Sequence, residues 1–286
     1  MTGLARRTFL IACGTLFAAV AQGEQPVPEL LAYERETGGR IGVYARNLKT
    51  GRSFVWRADE RFVMCSTFKA SLVARVLQRV DQGEEHLDRR ISFGPKDLFD
   101  YAPTARANVS RGSLSVEEMC QAAVELSDNT CATLLLISIG GPPAMTAFWR
   151  SIGDSVTRLD HGEPELNRSR PGNPEDTTTP AAMAANLRHL LLGDVLSIAS
   201  RDRLTTWMLG CQTGANRLRA DLPVRWRIAD KTGNNGRDAA GDIAVAWPSA
   251  DRPIVVCAYV QGGSPTSDQL TDVFAAIGRR IYRELP

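Results

Sequence analysis

The chain has 286 residues, of which 43% are apolar and 23% charged, and its formal net charge is +2. This length allows one large domain or two lobes around a shared core, and the composition is ordinary for a globular protein. The small net charge, without a dense lysine and arginine run interleaved with aromatics, argues against a nucleic-acid partner.

The N-terminus has the pattern of a cleaved export signal. Arg6 and Arg7 precede a short apolar run that ends in a small-x-small triplet at 19–21. The run is too short for a stable membrane anchor, so we expect residues 1–21 to be removed from a periplasmic protein. The paired arginines fit both the twin-arginine and the general secretory route. A lipoprotein box at Cys13 is disfavoured, because this cysteine comes too early in the run.

The cysteines and histidines do not form a framework. After the predicted signal the cysteines are Cys65, Cys120, Cys131, Cys211 and Cys257. Their odd number and the absence of CxxC spacing argue against a disulfide scaffold, so most should be small buried side chains. Three histidines without HxxxH spacing predict no metal site, and we expect no cofactor.

The first predicted elements are a β-hairpin and an amphipathic helix. Alternation on both sides of a turn at Lys49-Thr50-Gly51 predicts the hairpin over residues 41–56. Apolar residues then recur at every fourth position from Phe68 to Val80, which predicts a helix that ends at Gly83.

The middle of the chain is predicted to be helical. Ser115 and Glu118 form a capping box, and the run over 130–141 is apolar almost all round, which is typical of a buried helix. Thr179-Pro180 supplies a cap and a first-turn proline for another helix. Ser200 is predicted to cap the helix after that.

Three short β-rich segments follow, over residues 225–233, 241–248 and 253–263, and a last helix carries its apolar residues on one face. The short connections favour antiparallel pairing. We therefore predict an α+β fold with a five-stranded antiparallel sheet flanked by helices. Residues 22–61 and 210–286 would form this α/β lobe.

The long helical block, residues 62–209, would form an inserted all-helical lobe of the same single domain. A cleft between two lobes is a common place for a ligand site.

A serine and a lysine share one face at the start of the first long helix, in Ser66-Thr67-Phe68-Lys69. A helix N-terminus favours developing negative charge, and a lysine with a lowered pKa can take a serine proton. A chance SxxK is expected roughly once in a chain of this length, so the motif alone decides nothing.

Two further triplets have both a structural and a functional interpretation. Ser127-Asp128-Asn129 lies between helical segments, either as a helix junction or as a hydroxyl and a carboxamide for proton relay and amide binding. Lys231-Thr232-Gly233 ends a strand, either as a solvated hairpin end or as an anion site that a ligand backbone approaches closely.

Taken together and in this order, the motifs resemble those of the serine penicillin-recognising enzymes. Glu163-Pro164-Glu165-Leu166-Asn167, in the stretch 160–167, resembles the Ω-loop of class A β-lactamases. The flanks 207–223 and 242–248 extend the resemblance over essentially the whole mature chain. It implies a monomeric enzyme that hydrolyses penicillins and cephalosporins through a serine acyl-enzyme and so gives antibiotic resistance.

The resemblance also implies catalytic roles. Ser66 would be the nucleophile, and Lys69 would accept or shuttle its proton. Glu163 would hold the water that hydrolyses the acyl-enzyme, and Ser127 would pass a proton to the leaving nitrogen. Whether Lys69 or Glu163 takes the first proton stays open.

The implied substrate-binding residues are Tyr101, Asn129, Asn167, Arg217, Lys231, Thr232, Gly233 and Asn234. The backbone N–H groups of Ser66 and Asn234 would form an oxyanion hole. Many family members carry an arginine where this chain has Ala240, and Arg217 occupies the position of a substituting arginine.

Two differences from the family pattern concern cysteines. In the carbapenem-hydrolysing branch a cysteine before the nucleophile pairs with one at the position of Asn235, so Cys65 should be unpaired here and strong carbapenem turnover is not expected. The family's helix–helix disulfide would join Cys120 to the position of Val73, so Cys120 should be a free buried thiol.

A third departure is His161, which stands where many members place an arginine paired with the aspartate at Asp176. A histidine is shorter and only partly charged near neutral pH. We therefore expect a looser loop neck that admits bulky oxyimino cephalosporins.

Two related classes compete with this interpretation. A DD-peptidase shares the Ser, Lys and KTG elements but lacks a base equivalent to Glu163. A β-lactam sensor would need a retained membrane span and no deacylating base. Both alternatives predict a chain that stalls after one acylation.

Overall fold

The computed structural model describes residues 27–286, so the predicted signal and Cys13 lie outside the described residues. The strands are β1 Arg40–Asn47, β2 Ser53–Trp56, β3 Phe62–Val63, β4 Arg90–Ser92, β5 Ser113–Ser115, β6 Thr177–Thr178, β7 Arg227–Asn234, β8 Ala239–Trp247 and β9 Ile254–Gln261. The α-helices are α1 Pro28–Thr37, α2 Phe68–Asp81, α3 Pro103–Ala107, α4 Val116–Glu125, α5 Asn129–Ser138, α6 Gly141–Ser151, α7 Pro180–Leu192, α8 Ile198–Leu209 and α9 Ser267–Glu284.

The central sheet has five antiparallel strands in the order β2-β1-β9-β8-β7. The N-terminal hairpin occupies one edge, and the strand that ends in Lys231-Thr232-Gly233 forms the other. The prediction of a five-stranded antiparallel sheet assembled from both ends of the chain is therefore confirmed.

The outer face of the sheet is covered by α1 and α9, which are the first and last helices described. Phe274, Ile277 and Ile281 of α9 are buried against this face, as the spacing of its apolar residues predicts. Helix α1 is not predicted from the sequence. It buries Leu30 and Tyr33 but has a weak amphipathic pattern, so tertiary packing decides its formation.

The helical part of the chain shares its core with the inner face of the sheet. Helix α2 runs through this core and is buried on nearly every side over residues 68–74. The same apolar cluster continues to Ile243 and Tyr259 of the sheet. The lobe boundaries that we infer from the element order, at 61/62 and 209/210, remain our proposal.

Helix caps follow the sequence with one exception. Ser115 accepts a hydrogen bond from the backbone N–H of Glu118 at 3.1 Å, and Thr179 accepts one from Ala182 at 3.1 Å, as predicted. The prediction for Ser200 is wrong, because Ser197 caps α8 and accepts the Ser200 N–H at 3.2 Å. The Ser200 hydroxyl is used differently: it donates to Asp81 at 2.6 Å.

Over residues 27–286, no single helix combines the length and the apolar character needed to cross a membrane. Helices α5 and α6 together meet the length and composition criteria, but they are bent by 75° at their junction.

Candidate active site

A cavity of about 380 Å³ lies between strand β7 and the helical part of the chain. All of the predicted site residues line it except Lys69, Glu163 and Lys231, whose side chains are buried in its wall. Thr213 and Gly236 also line the cavity, although the sequence gives no motif that marks them. The structure thus brings the separate motifs together in one place.

The predicted nucleophile, Ser66, lies in a short 3₁₀ turn at Cys65–Thr67 that leads directly into α2. Strand β7 passes this turn at very close range. A Cβ atom at Gly233 would lie 2.7 Å from the Met64 carbonyl oxygen and 3.0 Å from the Ser66 backbone nitrogen. Glycine is therefore required at Gly233 for the backbones to approach, which brings the Ser66 and Asn234 amides to the same cavity wall.

Lys69 is fully buried and connects several groups of the site. Its Nζ donates to the Ser127 carbonyl at 2.9 Å and to Asn129 Oδ1 at 2.5 Å, and it lies 3.5 Å from Glu163 Oε1. Burial lowers the pKa of Lys69, whereas the charge of Glu163 opposes this shift. A buried ammonium with a lowered pKa is suited to giving and taking a proton.

Glu163 and Asn167 form a pair on the loop over residues 160–176. Asn167 Nδ2 donates to Glu163 Oε2 at 2.5 Å, across a short 3₁₀ turn at Glu165–Asn167. Glu163 Oε1 and Asn167 Oδ1 are buried and accept no hydrogen bond from residues 27–286. The two side chains therefore present unsatisfied acceptors next to Lys69.

Ser127 has a positive φ of 60°, an uncommon conformation for a non-glycine residue. Its hydroxyl lies between two lysines, 3.0 Å from Lys231 Nζ and 3.5 Å from Lys69 Nζ. Burial lowers the pKa of Lys231 to about 8. The neighbouring Asp128 has a structural part: it caps α5 by accepting the Cys131 N–H at 2.9 Å.

One end of the cavity, around Arg217 and Thr232, is cationic and rich in hydroxyl groups. The Thr232 and Thr213 hydroxyls are 2.5 Å apart, and Arg217 packs its guanidinium 5.2 Å from the centre of the Phe274 ring. Tyr101 is 51% exposed at the mouth. Such an arrangement of cations and hydroxyl donors is suited to a carboxylate.

The neck of the 160–176 loop is closed by Asp176. Its Oδ1 accepts the N–H groups of Asp160 and His161 at 2.8 and 2.9 Å, and its Oδ2 lies 2.7 Å from His161 Nδ1. Asn235 ties the other side of the loop to the sheet by donating to the Asn167 carbonyl at 3.2 Å. The histidine thus reaches its partner, and the looser neck stays a prediction.

The five cysteines of the described chain are buried and free, including Cys65 and Cys120. This confirms the expectation that neither family disulfide forms. Within residues 27–286, no group of three or more His, Cys, Asp or Glu side chains could hold a metal ion.

Similarity to known proteins agrees with this arrangement. A model of the beta-lactamase enzyme family matches residues 25–285. Beta-lactamase L2 of Stenotrophomonas maltophilia is 47% identical over 252 residues, which cover 88% of this chain and 83% of that protein.

Solved structures give the same result. An ancestral class A β-lactamase is 54% identical, with a TM-score of 0.85 over 89% of this chain and 98% of the other. A β-lactamase from Xanthomonas campestris pv. campestris is 46% identical, with a TM-score of 0.87 over 90% of this chain and 96% of the other.

The chain therefore belongs to the class A β-lactamases. It is a hydrolase of β-lactams, and this activity gives antibiotic resistance. The family and the fold expected from the sequence are both confirmed.

Proposed function

We propose that this enzyme hydrolyses penicillins and cephalosporins through an acyl-enzyme on Ser66. The observation that carries the proposal is the position of Lys69. Its Nζ donates to the Ser127 carbonyl and to Asn129 Oδ1, and it also lies 3.5 Å from Glu163 Oε1. A proton can therefore be exchanged between Glu163 and the Ser127 region through Lys69, without crossing bulk water.

In the acylation step, Ser66 Oγ forms a bond to the β-lactam carbonyl carbon, and its proton passes to Lys69 or Glu163. The carbonyl oxygen takes up negative charge, which the Ser66 and Asn234 amides stabilise. The C–N bond then breaks, and the Ser127 hydroxyl gives its proton to the leaving nitrogen and takes in turn, through Lys69, the proton that Ser66 lost. The contact of the Ser127 hydroxyl with Lys231 at 3.0 Å supports this relay.

In the deacylation step, a water bonds to the acyl carbon and gives its proton to Glu163. Glu163 Oε1 and Asn167 Oδ1 are buried acceptors that receive no hydrogen bond from the described chain, and Lys69 Nζ lies 3.5 Å from Glu163 Oε1. The two hydrogens of one water would satisfy both oxygens. The bond between the acyl carbon and Ser66 Oγ breaks, Ser66 takes up the proton that Glu163 accepted, and the penicilloic or cephalosporoic acid is released.

The substrate-binding roles follow the same geometry. The substrate carboxylate would lie among Arg217, Lys231 and Thr232, and the acylamide would bind Asn129. We also propose that residues 1–21 are removed on export and that the mature enzyme acts as a periplasmic monomer. Tyr101 at the mouth and Gly233 in the wall would shape the opening.

Burst kinetics with a chromogenic cephalosporin test the mechanism. Wild type should turn over many equivalents, whereas Glu163→Ala should release about one equivalent and then stall as a trapped acyl-enzyme, detectable by intact-mass spectrometry. Stalling of the wild type after one equivalent would instead favour a DD-peptidase or a sensor. Steady turnover by Glu163→Ala would refute the assignment of the deacylating base.

A further inference from the structure

A buried charge cluster lies beneath the cationic end of the cavity, on the outer face of the sheet. Asp230 and Asp242 are fully buried on β7 and β8, and Arg217 and Arg219 lie over them on the turn that follows α8. Thr232, which lines the cavity, pairs directly with Asp242 across the two strands. Two carboxylates with no part in the proposed reaction therefore lie next to the substrate site.

The carboxylates hold the backbone of this turn. Asp242 Oδ2 accepts the N–H of Leu218 at 3.1 Å, and Leu218 directly follows Arg217. Arg219 Nε donates to Asp230 Oδ1 at 2.6 Å. From the other side, α9 approaches so closely that a Cβ at Gly278 would lie 2.7 Å from the Leu218 carbonyl oxygen. The backbone next to Arg217 is thus fixed from two directions.

The Arg217 guanidinium itself has few partners. Its hydrogen-bond acceptor within residues 27–286 is the Asn216 carbonyl at 3.3 Å, and its buried Nε has none there. Burial lowers the pKa of Arg217, and the negative charge of Asp242 opposes that shift. Burial and then Asp230 raise the pKa of Asp242, whereas Arg217 lowers it. Within residues 27–286 the two side chains form no direct ion pair.

We propose that Asp242 is a positioning residue for Arg217, because its hydrogen bond to the Leu218 N–H holds the backbone from which the Arg217 guanidinium reaches the cavity. The inference rests on the proposed role of Arg217 in carboxylate binding. A guanidinium that is directly paired with a protein carboxylate has used its fork of donors, whereas one positioned through its backbone keeps them for a ligand. Asp242 thereby favours binding of the β-lactam carboxylate.

The test is Asp242→Leu, which keeps the size but removes the oxygen acceptor of the Leu218 N–H; Asp242→Asn keeps an oxygen acceptor and should restore wild-type binding. In Asp242→Leu, KM for a penicillin should rise roughly tenfold with kcat nearly unchanged. Two reversible boronic acids that add to the serine hydroxyl, one with a carboxylate and one without, separate positioning from general damage. Asp242→Leu should weaken the first by the same factor and leave the second unchanged. Equal weakening of both would overturn the inference.

Control variants complete the design. Asp221→Asn removes a carboxylate from the same turn, where it pairs with Arg279 at the surface, and should change neither constant. Arg217→Gln tests carboxylate binding by Arg217 itself. If it leaves carboxylate binding unchanged, the proposed function of Arg217 fails. If it weakens binding while Asp242→Leu does not, Arg217 binds the carboxylate but Asp242 does not position it.

A double variant and a substitute keep the test decisive. Asp242→Leu combined with Arg217→Gln should bind the carboxylate boronate no more weakly than Arg217→Gln alone, because one residue acts through the other. Additive losses would overturn the inference. If thermal melting shows that Asp242→Leu does not fold, Asp242→Ala removes the same acceptor with a smaller side chain and has the same expected outcomes.

Discussion

His161 Nδ1 lies 2.7 Å from Asp176 Oδ2 and thereby closes the neck of the loop that carries Glu163. The hydrogen bond to Asp176 raises the pKa of His161 above its ordinary value. The strength of this closure therefore depends on pH, whereas an arginine at the same position would stay charged throughout.

The first prediction concerns stability and pH. A raised folded-state pKa means that the stabilisation is complete below the unfolded pKa of about 6.5 and is lost as pH rises through the folded value. The free energy of unfolding of wild type should exceed that of His161→Asn most at about pH 5.5 and least at about pH 9. Because the imidazole is 41% exposed, the difference should stay below about 1 kcal/mol.

Urea unfolding across this pH range is the measurement. A stability difference for His161→Asn that is constant with pH would contradict the prediction.

The second prediction concerns substrate range. His161→Arg restores a permanently charged, longer side chain opposite Asp176 and should tighten the neck. We expect kcat/KM for a bulky oxyimino cephalosporin to fall several-fold, with that for benzylpenicillin nearly unchanged. An unchanged ratio of the two constants would show that the histidine does not set the substrate range.

The third prediction concerns the contact between strand β7 and the turn that carries Ser66. Gly233→Ala places a Cβ atom 2.7 Å from the Met64 carbonyl oxygen, so the backbones must separate. Overpacking of this kind costs about 1–3 kcal/mol, and the activity should fall with the stability. Gly94→Ala, where an added Cβ meets nothing within 4 Å, is the matched control. Full activity of Gly233→Ala would contradict the close approach.

The fourth prediction concerns thiols. The mature protein should show five titratable thiols in denaturant and almost none when native, because all five cysteines of residues 27–286 are buried and free. Burial also raises the pKa of the Cys65, Cys120 and Cys131 thiols. Titration with an aromatic disulfide reagent gives the count. Three or fewer thiols in denaturant would mean that a disulfide forms, and a sixth would mean that residues 1–21 are retained.

The fifth prediction concerns Lys231, whose pKa burial lowers to about 8. The ammonium is charged below this pH and neutral above it, so KM for a penicillin should rise as pH increases through about 8. In Lys231→Arg the guanidinium stays charged, and KM should be nearly independent of pH between about 7 and 10. The same rise in both enzymes would assign the titration to another group.

Local patterns predicted much of the fold and of the site. Strands β7 to β9, the helix caps at Ser115 and Thr179, and the residues of the three motifs follow from periodicity, capping and motif order. These features depend on a few neighbouring residues, so a sequence carries them directly.

What could not be predicted depends on contacts between distant segments. Helix α1 is stabilised by packing against α9 and the sheet. Its own residues have only a weak amphipathic pattern, so this packing cannot be predicted from them. Thr213 enters the site through a hydroxyl contact with Thr232, and Asn235 through a hydrogen bond to the Asn167 carbonyl. Ser200 has good capping chemistry, but Ser197, one turn earlier, takes that position.

The passage of Gly233 against the Met64–Ser66 backbone has an evolutionary consequence. The two backbones touch at this crossing, so exchanging side chains cannot by itself remove this contact. We therefore expect adaptation to new antibiotics at the periphery, at the exposed Tyr101 and in the loop whose neck Asp176 closes. Resistance in this scaffold can broaden by remodelling the entrance while the machinery behind it stays rigid.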